Sequence, residues 1–305
     1  MLDLSRLIAV DWGTSSLRAW CFDSSGMVIG EHSSDQGLLK VAPGGFADVL
    51  RTAVSPWLRG DSVVLMSGMV GSKQGWAEAP YATMPSGADE LAAGLIEVPF
   101  DCRCLIVPGV RRTGATPDVM RGEETQLVGL EDELDGKLVV LPGTHSKWVW
   151  RKAGRITWFR TFMTGELFDL LGKHSLLGRS MAGEQIDPDG FARGLGQARA
   201  PGGLLEKMFA MRALWLSGEL PPNQQRGYLS GLLLGTELGD ALAALQREAG
   251  PDVGAARRVD LVASPALKNV YRSLLESAGL EVRVADGNIA ARGLMRIALQ
   301  AELLI

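Results

Sequence analysis

Two short segments place a glycine and hydroxyl residues directly after an apolar run. The first is Ile8-Ala-Val-Asp-Trp-Gly-Thr-Ser-Ser-Leu-Arg18. Gly13 permits a tight turn whose backbone N–H groups can face a phosphate, and the hydroxyls of Thr14 and Ser15 add donors. Asp11, at the end of the run, could hold Mg²⁺ through water. Arg18, on the next extended segment, could reach phosphate oxygens. Taken alone, these residues are equally an ordinary β-turn. The second segment, Leu138-Val-Val-Leu-Pro-Gly-Thr-His-Ser-Lys-Trp148, puts Gly143 and Thr144 in the same place after another apolar run. One such turn in each half of the chain would grip the β- and γ-phosphates of a nucleotide from both sides of a cleft. No Gly-x-x-x-x-Gly-Lys-Ser/Thr occurs, which excludes a P-loop enzyme.

Between the turns lies Asp118-Val-Met-Arg-Gly-Glu-Glu-Thr-Gln126. It follows a Pro/Gly loop at an expected helix start, where the helix dipole stabilises a carboxylate. Phosphoryl transfer to an alcohol calls for a carboxylate near the attacking hydroxyl. Glu123 is the candidate base, with Glu124 and Asp118 close enough to replace it. The same charges also suit a solvated helix terminus.

The elements that must position these groups follow from apolar periodicity. Leu7–Val10, Leu17–Phe22 and Met27–Ile29 read as three antiparallel strands, the last two joined by the hairpin turn Asp23-Ser-Ser-Gly26. A Rossmann fold would place a helix after its first strand, so this start argues against one. A helix at Phe46–Leu58, a strand at Val63–Met66, a helix at Asp89–Ile96 and a strand at Leu105–Val107 follow. The order then restarts: a helix at Glu123–Leu134, a strand at Leu138–Leu141, and paired strands at Lys147–Arg151 and Ile156–Thr161. From Gly165 to Glu248 the pattern is mainly helical, with loops expected at Gly194–Gly203 and Gly218–Asn223. Val259–Ala263 and Glu281–Val284 read as strands, Ala266–Ala278 as a helix, and Ile289–Leu303 as a closing helix. Strands followed by helices, twice over, indicate a duplicated α/β architecture.

At 305 residues the chain can form two domains of roughly 100–200 residues each. The formal net charge of -4 offers no long-range attraction to nucleic acid or to an anionic membrane. No apolar run approaches the ~20 residues of a membrane span, and no charged-then-apolar leader precedes Leu7. Cys21, Cys102 and Cys104 are an odd set without metal-ligand spacing, in keeping with small core residues in a reducing cytoplasm.

Asp11-Trp-Gly-Thr, Gly122-Glu-Glu-Thr-Gln-Leu-Val-Gly129, the Gly143-Thr turn and Ala285–Ala298 resemble segments of the sugar-kinase branch of the actin/Hsp70/hexokinase superfamily. These are its phosphate, base, second phosphate and closing-helix segments. Sugar kinases of that branch carry Asp in Gly-Asp-Gln-x-x-x-x-Gly where this chain has Glu123. Ser67-Gly-Met-Val-Gly-Ser-Lys-Gln-Gly-Trp-Ala-Glu-Ala-Pro-Tyr81, Leu141-Pro-Gly-Thr-His-Ser-Lys-Trp-Val149, Thr161-Phe-Met-Thr-Gly-Glu-Leu-Phe168 and His174-Ser175 narrow the likeness to 2-dehydro-3-deoxygalactonokinases, over nearly the whole chain.

The resemblance implies two ribonuclease-H-like α/β domains, 1–117 and 118–305, with a central nucleotide cleft and a closing helix at 289–303. ATP and Mg²⁺ would phosphorylate the 6-hydroxyl of a 2-dehydro-3-deoxygalactonate, a small-molecule sugar acid of galactonate breakdown. The expected setting is the cytoplasm, without nucleic acid or membrane, and a homodimer is compatible with it. Ser72, Lys73, Gln74, Trp76 and Tyr81 combine hydrogen-bonding groups with aromatic faces, as a polyol site requires. Lys73, Arg111, Arg112 and Lys147 are candidates for the substrate carboxylate. Thr161, Thr164 and Glu166 fit either a helix cap or a substrate contact, with Thr164 and Glu166 assigned to substrate. Ser264 of Leu261-Val-Ala-Ser-Pro-Ala-Leu-Lys268 stands where related kinases bind adenosine, although the usual glycine pair is missing. Rival readings are a kinase for another sugar acid, a phosphoanhydride phosphatase on the same fold, and a non-enzymatic nucleotide-dependent module.

Overall fold

The structure is a computed structural model that describes residues 3–130, 136–249, 258–285 and 287–304. In chain order the elements begin with β1 (Leu7–Trp12), β2 (Leu17–Phe22), β3 (Val28–Ser34), α1 (Phe46–Val54) and β4 (Val63–Ser67). Next come β5 (Tyr81–Thr83), α2 (Ala88–Ala93), β6 (Ile96–Glu97), β7 (Arg103–Ile106), β8 (Gly109–Arg112), β9 (Asp118–Met120) and α3 (Glu123–Gly129). The series restarts with β10 (Lys137–Leu141), β11 (Ser146–Lys152), β12 (Arg155–Phe162), α4 (Thr164–His174), α5 (Pro188–Arg199), α6 (Leu204–Leu216) and α7 (Pro222–Glu248). It ends with β13 (Arg258–Leu261), α8 (Pro265–Ser277), β14 (Glu281–Val284) and α9 (Ile289–Gln300).

The chain divides into two compact units. The first comprises Met1–Gly136, Arg151–Phe159 and Ala285–Ile305; the second comprises Lys137–Trp150 and Arg160–Val284. The expected boundary fell at 117/118; the first unit also takes in β9, which pairs with β8, and α3 and α9, of which α9 packs on β1 and against α3.

In the first unit the sheet order is β3-β2-β1-β4-β7-β6. The β1–β2 and β2–β3 pairs are antiparallel hairpins, while β1, β4 and β7 run parallel. Asp23 makes the second hairpin by accepting the N–H groups of Ser25 and Met27, both at 2.9 Å. The five residues of β4 and the first four of β1 are all buried. Such unbroken apolar runs suit central parallel strands covered on both faces. One face packs on α1 through Leu50, Ala53 and Val54, against Ile8, Val10 and Met66. A small sheet of order β5-β8-β9, not foreseen from sequence, sits in the same unit.

A five-stranded sheet has the order β12-β11-β10-β13-β14, and its strands β10, β13 and β14, all of the second unit, run parallel. Leaving aside the short antiparallel edge strand β6, both sheets run 3-2-1-4-5 when their strands are numbered in chain order. The duplication is therefore one of topology. Among the described residues no helix is long and apolar enough to cross a membrane.

One expectation needs correction. The glycines of Gly194–Gly203 suggested a loop, yet α5 is helical through Arg199. A Cβ on Gly194 would stand 2.0 Å from the Tyr228 carbonyl oxygen of α7, and one on Gly231 would stand 2.1 Å from that of Phe191 on α5. Here glycine lets two helix backbones touch, a pressure that local propensity does not register. The same device joins α3 to α9. A Cβ on Gly129 would lie 1.9 Å from the Ile289 carbonyl oxygen, and one on Gly293 would lie 1.7 Å from that of Thr125. The closing helix is regular to Gln300 rather than Leu303, and α3 is regular to Gly129; of the rest of its expected span to Leu134, residues 131–134 lie outside the described residues.

Candidate active site

The first Gly-Thr turn joins β1 to β2, with Gly13 N–H donating to the Ser16 carbonyl at 2.9 Å. Thr14 and Ser15 are exposed at its tip. A neighbouring segment holds this turn from outside the hairpin. Leu38 N–H donates to the Gly13 carbonyl (3.0 Å), Leu39 N–H to that of Thr14 (3.2 Å), and the Trp12 indole to the Gln36 carbonyl (2.9 Å). Gly37 lies against the turn backbone, where a Cβ would be 2.3 Å from the Ser15 carbonyl carbon.

Strand register sets the surroundings of Asp11. It stands opposite Arg18 on β2 and Ser67 on β4. Arg18 Nη2 donates to Asp11 Oδ2 at 2.6 Å. Arg18 thus orients the carboxylate, a role the sequence reading did not assign to it. After Ser67, Gly68 turns the chain with φ 95°, and Gly122 does the same before α3 with φ 107°. Both values suit glycine. The two glycines also face each other closely, since a Cβ on Gly122 would be 3.3 Å from Gly68 Cα. A Cβ on Gly68 would lie 2.7 Å from the Trp12 carbonyl oxygen and 3.4 Å from Asp11 Oδ1. Thr125 Oγ1 lies 3.3 Å from Ser67 Oγ and donates to the Gly122 carbonyl at 2.7 Å. The first turn, the end of β4 and the start of α3 therefore converge at the carboxyl ends of parallel strands, where open α/β sheets bind ligands.

The three carboxylates considered as base differ in environment. Glu124 is fully buried, its oxygens accepting Gly122 N–H at 2.8 and 2.7 Å. Burial, with the adjacent Glu123 charge, pushes its carboxyl from 4.5 up to about 8. A group protonated at neutral pH cannot accept a proton there. Glu123 is half-buried and accepts the Arg121 N–H at 3.1 Å. Asp118 lies on β9, accepting Val119 N–H at 2.8 Å.

Arg121 connects this loop to the Ser72–Tyr81 segment. It donates to the Ala79 carbonyl at 2.8 Å and lies 4.3 Å above the Tyr81 ring. One face of Tyr81 is therefore occupied. Trp76 stacks on Phe46 (6.1 Å between centroids) and meets Phe100 edge-on. With Leu38, Phe46 and Gln74 it lines a cavity of about 370 Å³ beside the segment that holds the first turn. Lys73 and Gln74 are exposed, and Ser72 Oγ is buried with no hydrogen-bond partner among the described residues. Of the other basic candidates, Arg111 bonds Thr83, Arg112 bonds Thr116, and Lys147 is buried on β11.

In the second unit the Gly143-Thr144 turn joins β10 to β11, and Thr144 and His145 are exposed. The start of α4 backs it: a Cβ on Gly165 would be 2.4 Å from the Gly143 carbonyl oxygen, and Glu166 N–H donates to the Thr144 carbonyl at 3.0 Å. The Glu166 carboxylate meets His145 Nε2 at 2.5 Å. Thr164 points inward, hydrogen-bonded to the buried Glu237. Thr161 lies on β12, and Ser264 is exposed at the N-terminus of α8 without a side-chain cap bond. Sequence reasoning missed Gly37, Gly68, His145 and Glu237. The first two carried a signal in the Asp35-Gln-Gly37 and Ser67-Gly68 turn pairs; Glu237, inside a helix, carried none.

Residues 11–297 match the family model described as 2-keto-3-deoxy-galactonokinase. The chain is 38% identical over 308 residues to the Rhizobium meliloti (strain 1021) protein named "Probable 2-dehydro-3-deoxygalactonokinase DgoK1", covering 96% of each chain. It is 34% identical to the 2-dehydro-3-deoxygalactonokinase of Escherichia coli (strain K12), covering 94% of each. A solved structure from Sinorhizobium meliloti, described as a 2-dehydro-3-deoxygalactonokinase protein, superposes with a TM-score of 0.86 at 36% identity, over 96% of this chain and 98% of that one. At 10% identity the xylulose kinase of Lactobacillus acidophilus still gives a TM-score of 0.52 over 98% of this chain and 90% of that one, a likeness of fold alone. The fold is thus an α/β fold of the actin/hexokinase type, and the chain belongs to the 2-keto-3-deoxy-galactonokinase family.

Proposed function

We propose that the protein transfers the γ-phosphoryl group of ATP to the 6-hydroxyl of 2-dehydro-3-deoxy-D-galactonate, yielding the 6-phosphate. The observation that carries this reading is the convergence of Asp11, Gly68 and Gly122–Glu123 at the ends of β1 and β4. A cavity lined by Gln74 and Trp76 lies in the same unit. The reading assigns the backbone and hydroxyls of Gly13, Thr14 and Ser15, and of Gly143 and Thr144, to phosphate oxygens. Ser264 is assigned to the adenosine. Glu123 orients the acceptor hydroxyl and takes its proton as the phosphoryl group departs. Ser72, Lys73, Gln74 and Trp76 hold the sugar acid, Lys73 facing its carboxylate, and Tyr81 borders the site; Thr164 and Glu166, which back the second turn, are not assigned to the substrate in this reading.

Mg²⁺ is part of the proposal. Among the described residues no group of three or more His, Cys, Asp or Glu side chains could cage a metal. One oriented carboxylate fits Mg²⁺ nonetheless, because this ion keeps several waters and binds mainly through substrate phosphates. Asp11 would hold it through water, and the ion would neutralise charge on the β- and γ-oxygens. The cytoplasm is the setting proposed for such metabolic work.

The test is a panel of sugar acids with ATP, assayed by ADP release, for the protein and for Asp11→Asn. Phosphorylation of 2-dehydro-3-deoxygalactonate well ahead of its gluconate-series epimer, lost in Asp11→Asn with folding intact, is the expected result. Equal turnover of unrelated sugar acids, or ATP hydrolysis alone, would replace the substrate assignment. Near-normal activity of Asp11→Asn would remove the first turn from the site.

A further inference from the structure

The second unit buries a carboxylate that the chemistry above does not use. Glu237 lies within the long helix α7 and is 2% exposed. Trp148 Nε1 donates to its Oε1 at 2.8 Å, and the Tyr271 hydroxyl lies 3.1 Å from each of its oxygens. Thr164 and Ser146 also hydrogen-bond it, and Ser146 Oγ stands 2.8 Å from the Tyr271 hydroxyl. Ser146, Trp148 and Tyr271 are themselves buried. These four side chains come from β11, the first residue of α4, and α8, and all are neutral.

Two of the four flank the Gly143-Thr144 turn. Ser146 is the residue at which the chain leaves the turn for β11. Thr164 opens α4, whose next two residues back the turn: Gly165 lies against Gly143 and Thr144, and Glu166 bonds both the Thr144 carbonyl and the His145 ring. One carboxylate thus holds the exit of the turn and the helix start beneath it. A buried polar network whose members are all satisfied rigidifies what it connects. A carboxyl group costs too much to bury for packing alone, since a hydrophobic side chain of similar size would serve as well.

We propose that Glu237 is a positioning residue for the second phosphate turn, acting through Ser146 and Thr164 to keep the Gly143-Thr144 backbone in its phosphate-binding shape. The proposal rests on the reading of that turn as a phosphate site, so the test separates the two. Calorimetry would measure ADP and adenosine binding for Glu237→Leu, Glu237→Gln, Tyr271→Phe and Gly143→Val, alongside KM for ATP and for the sugar acid. Glu237→Leu should weaken ADP and raise the KM for ATP roughly tenfold, the scale of one well-placed hydrogen bond. Adenosine binding and the sugar-acid KM should stay within about twofold, because neither depends on this turn. Glu237→Gln, which keeps an acceptor oxygen for Trp148, should recover most of the loss, and Tyr271→Phe should fall between. Should Glu237→Leu fail to fold, the Gln and Phe variants decide. A general structural role would weaken adenosine and ADP alike, or raise both KM values; either outcome overturns the proposal, as does unchanged ADP binding in folded Glu237 and Tyr271 variants. If Gly143→Val leaves ADP binding intact, the turn is not a phosphate site, and the proposal falls with that reading.

Discussion

Replacing Glu124 by Gln should stabilise the protein, and increasingly so as pH rises. Glu124 is wholly buried at the start of α3, and burial lifts its carboxyl from 4.5 to about 8. Below about pH 4.5 the group is protonated in both folded and unfolded chains, and pH has no effect through it. Between about 4.5 and 8 the unfolded chain has lost the proton while the folded one keeps it. Unfolding then releases a proton, and each unit of rising pH costs the fold ~1.4 kcal/mol. Above about 8 both states are charged and the full loss, about 5 kcal/mol as a ceiling, stays constant. Gln has the shape of the neutral acid, keeps an oxygen for the Gly122 N–H, and does not titrate. Urea unfolding of both proteins at pH 5, 7 and 8.5 should therefore show the advantage of Gln growing by ~4 kcal/mol across the series, with the denaturant slope unchanged. A difference that stays flat to within ~1 kcal/mol would mean that Glu124 is already ionised when folded. The argument against it as base would then collapse. The kinetic counterpart is that Glu124→Gln keeps its turnover near pH 7.

Three further outcomes bear on the site and on the packing behind it. Glu123→Gln should lower kcat by ~10²–10⁴-fold with sugar-acid binding largely kept; if Asp118→Asn shows that loss instead, measured in parallel by steady-state kinetics, the base has been placed on the wrong carboxylate. Lys73→Met should raise the KM for the sugar acid and leave that for ATP nearly alone, whereas an equal change in both would return Lys73 to the solvated surface. Gly231→Ala puts a Cβ 2.1 Å from the Phe191 carbonyl oxygen. The ~1 kcal/mol gained in helix propensity should be outweighed by the forced separation of α5 and α7, for a net loss of ~1–2 kcal/mol in urea unfolding; a stabilised variant would show that the close approach is dispensable.

The turns of this chain were legible where their features are local. Asp11-Trp-Gly-Thr and Leu141-Pro-Gly-Thr each place a turn after a buried strand, and burial, turn and exposed hydroxyl are properties of neighbouring residues. The antiparallel start and the helix–strand alternation were legible for the same reason, since apolar spacing is a local record of which face is buried. Even so, the glycines of α5 were misread. Gly194 looks identical in sequence whether it breaks a helix or admits another helix backbone, and only the position of Tyr228 distinguishes the two. Arg18 was read as a phosphate ligand because its type suits one; that it also stands opposite Asp11 and pairs with it is set by strand register.

Relations between distant residues were decided in three dimensions. Gly68 and Gly122 lie far apart in the chain, yet their positive φ angles and mutual approach bring the end of β4 to the start of α3. Adjacent in sequence and identical in type, Glu123 and Glu124 are separated by helical rotation: one side chain is left half-buried and the other enclosed, and enclosure, with the neighbouring Glu123 charge, moves the Glu124 carboxyl to about 8. Glu237 makes the case most plainly. In sequence it is one acidic residue in a long helix, and its partners Ser146, Trp148, Thr164 and Tyr271 lie up to 91 positions away. Sequence determines which residues can bond a buried carboxylate, but the cost of burying a charge depends on what surrounds it, and those surroundings exist only once the chain has folded.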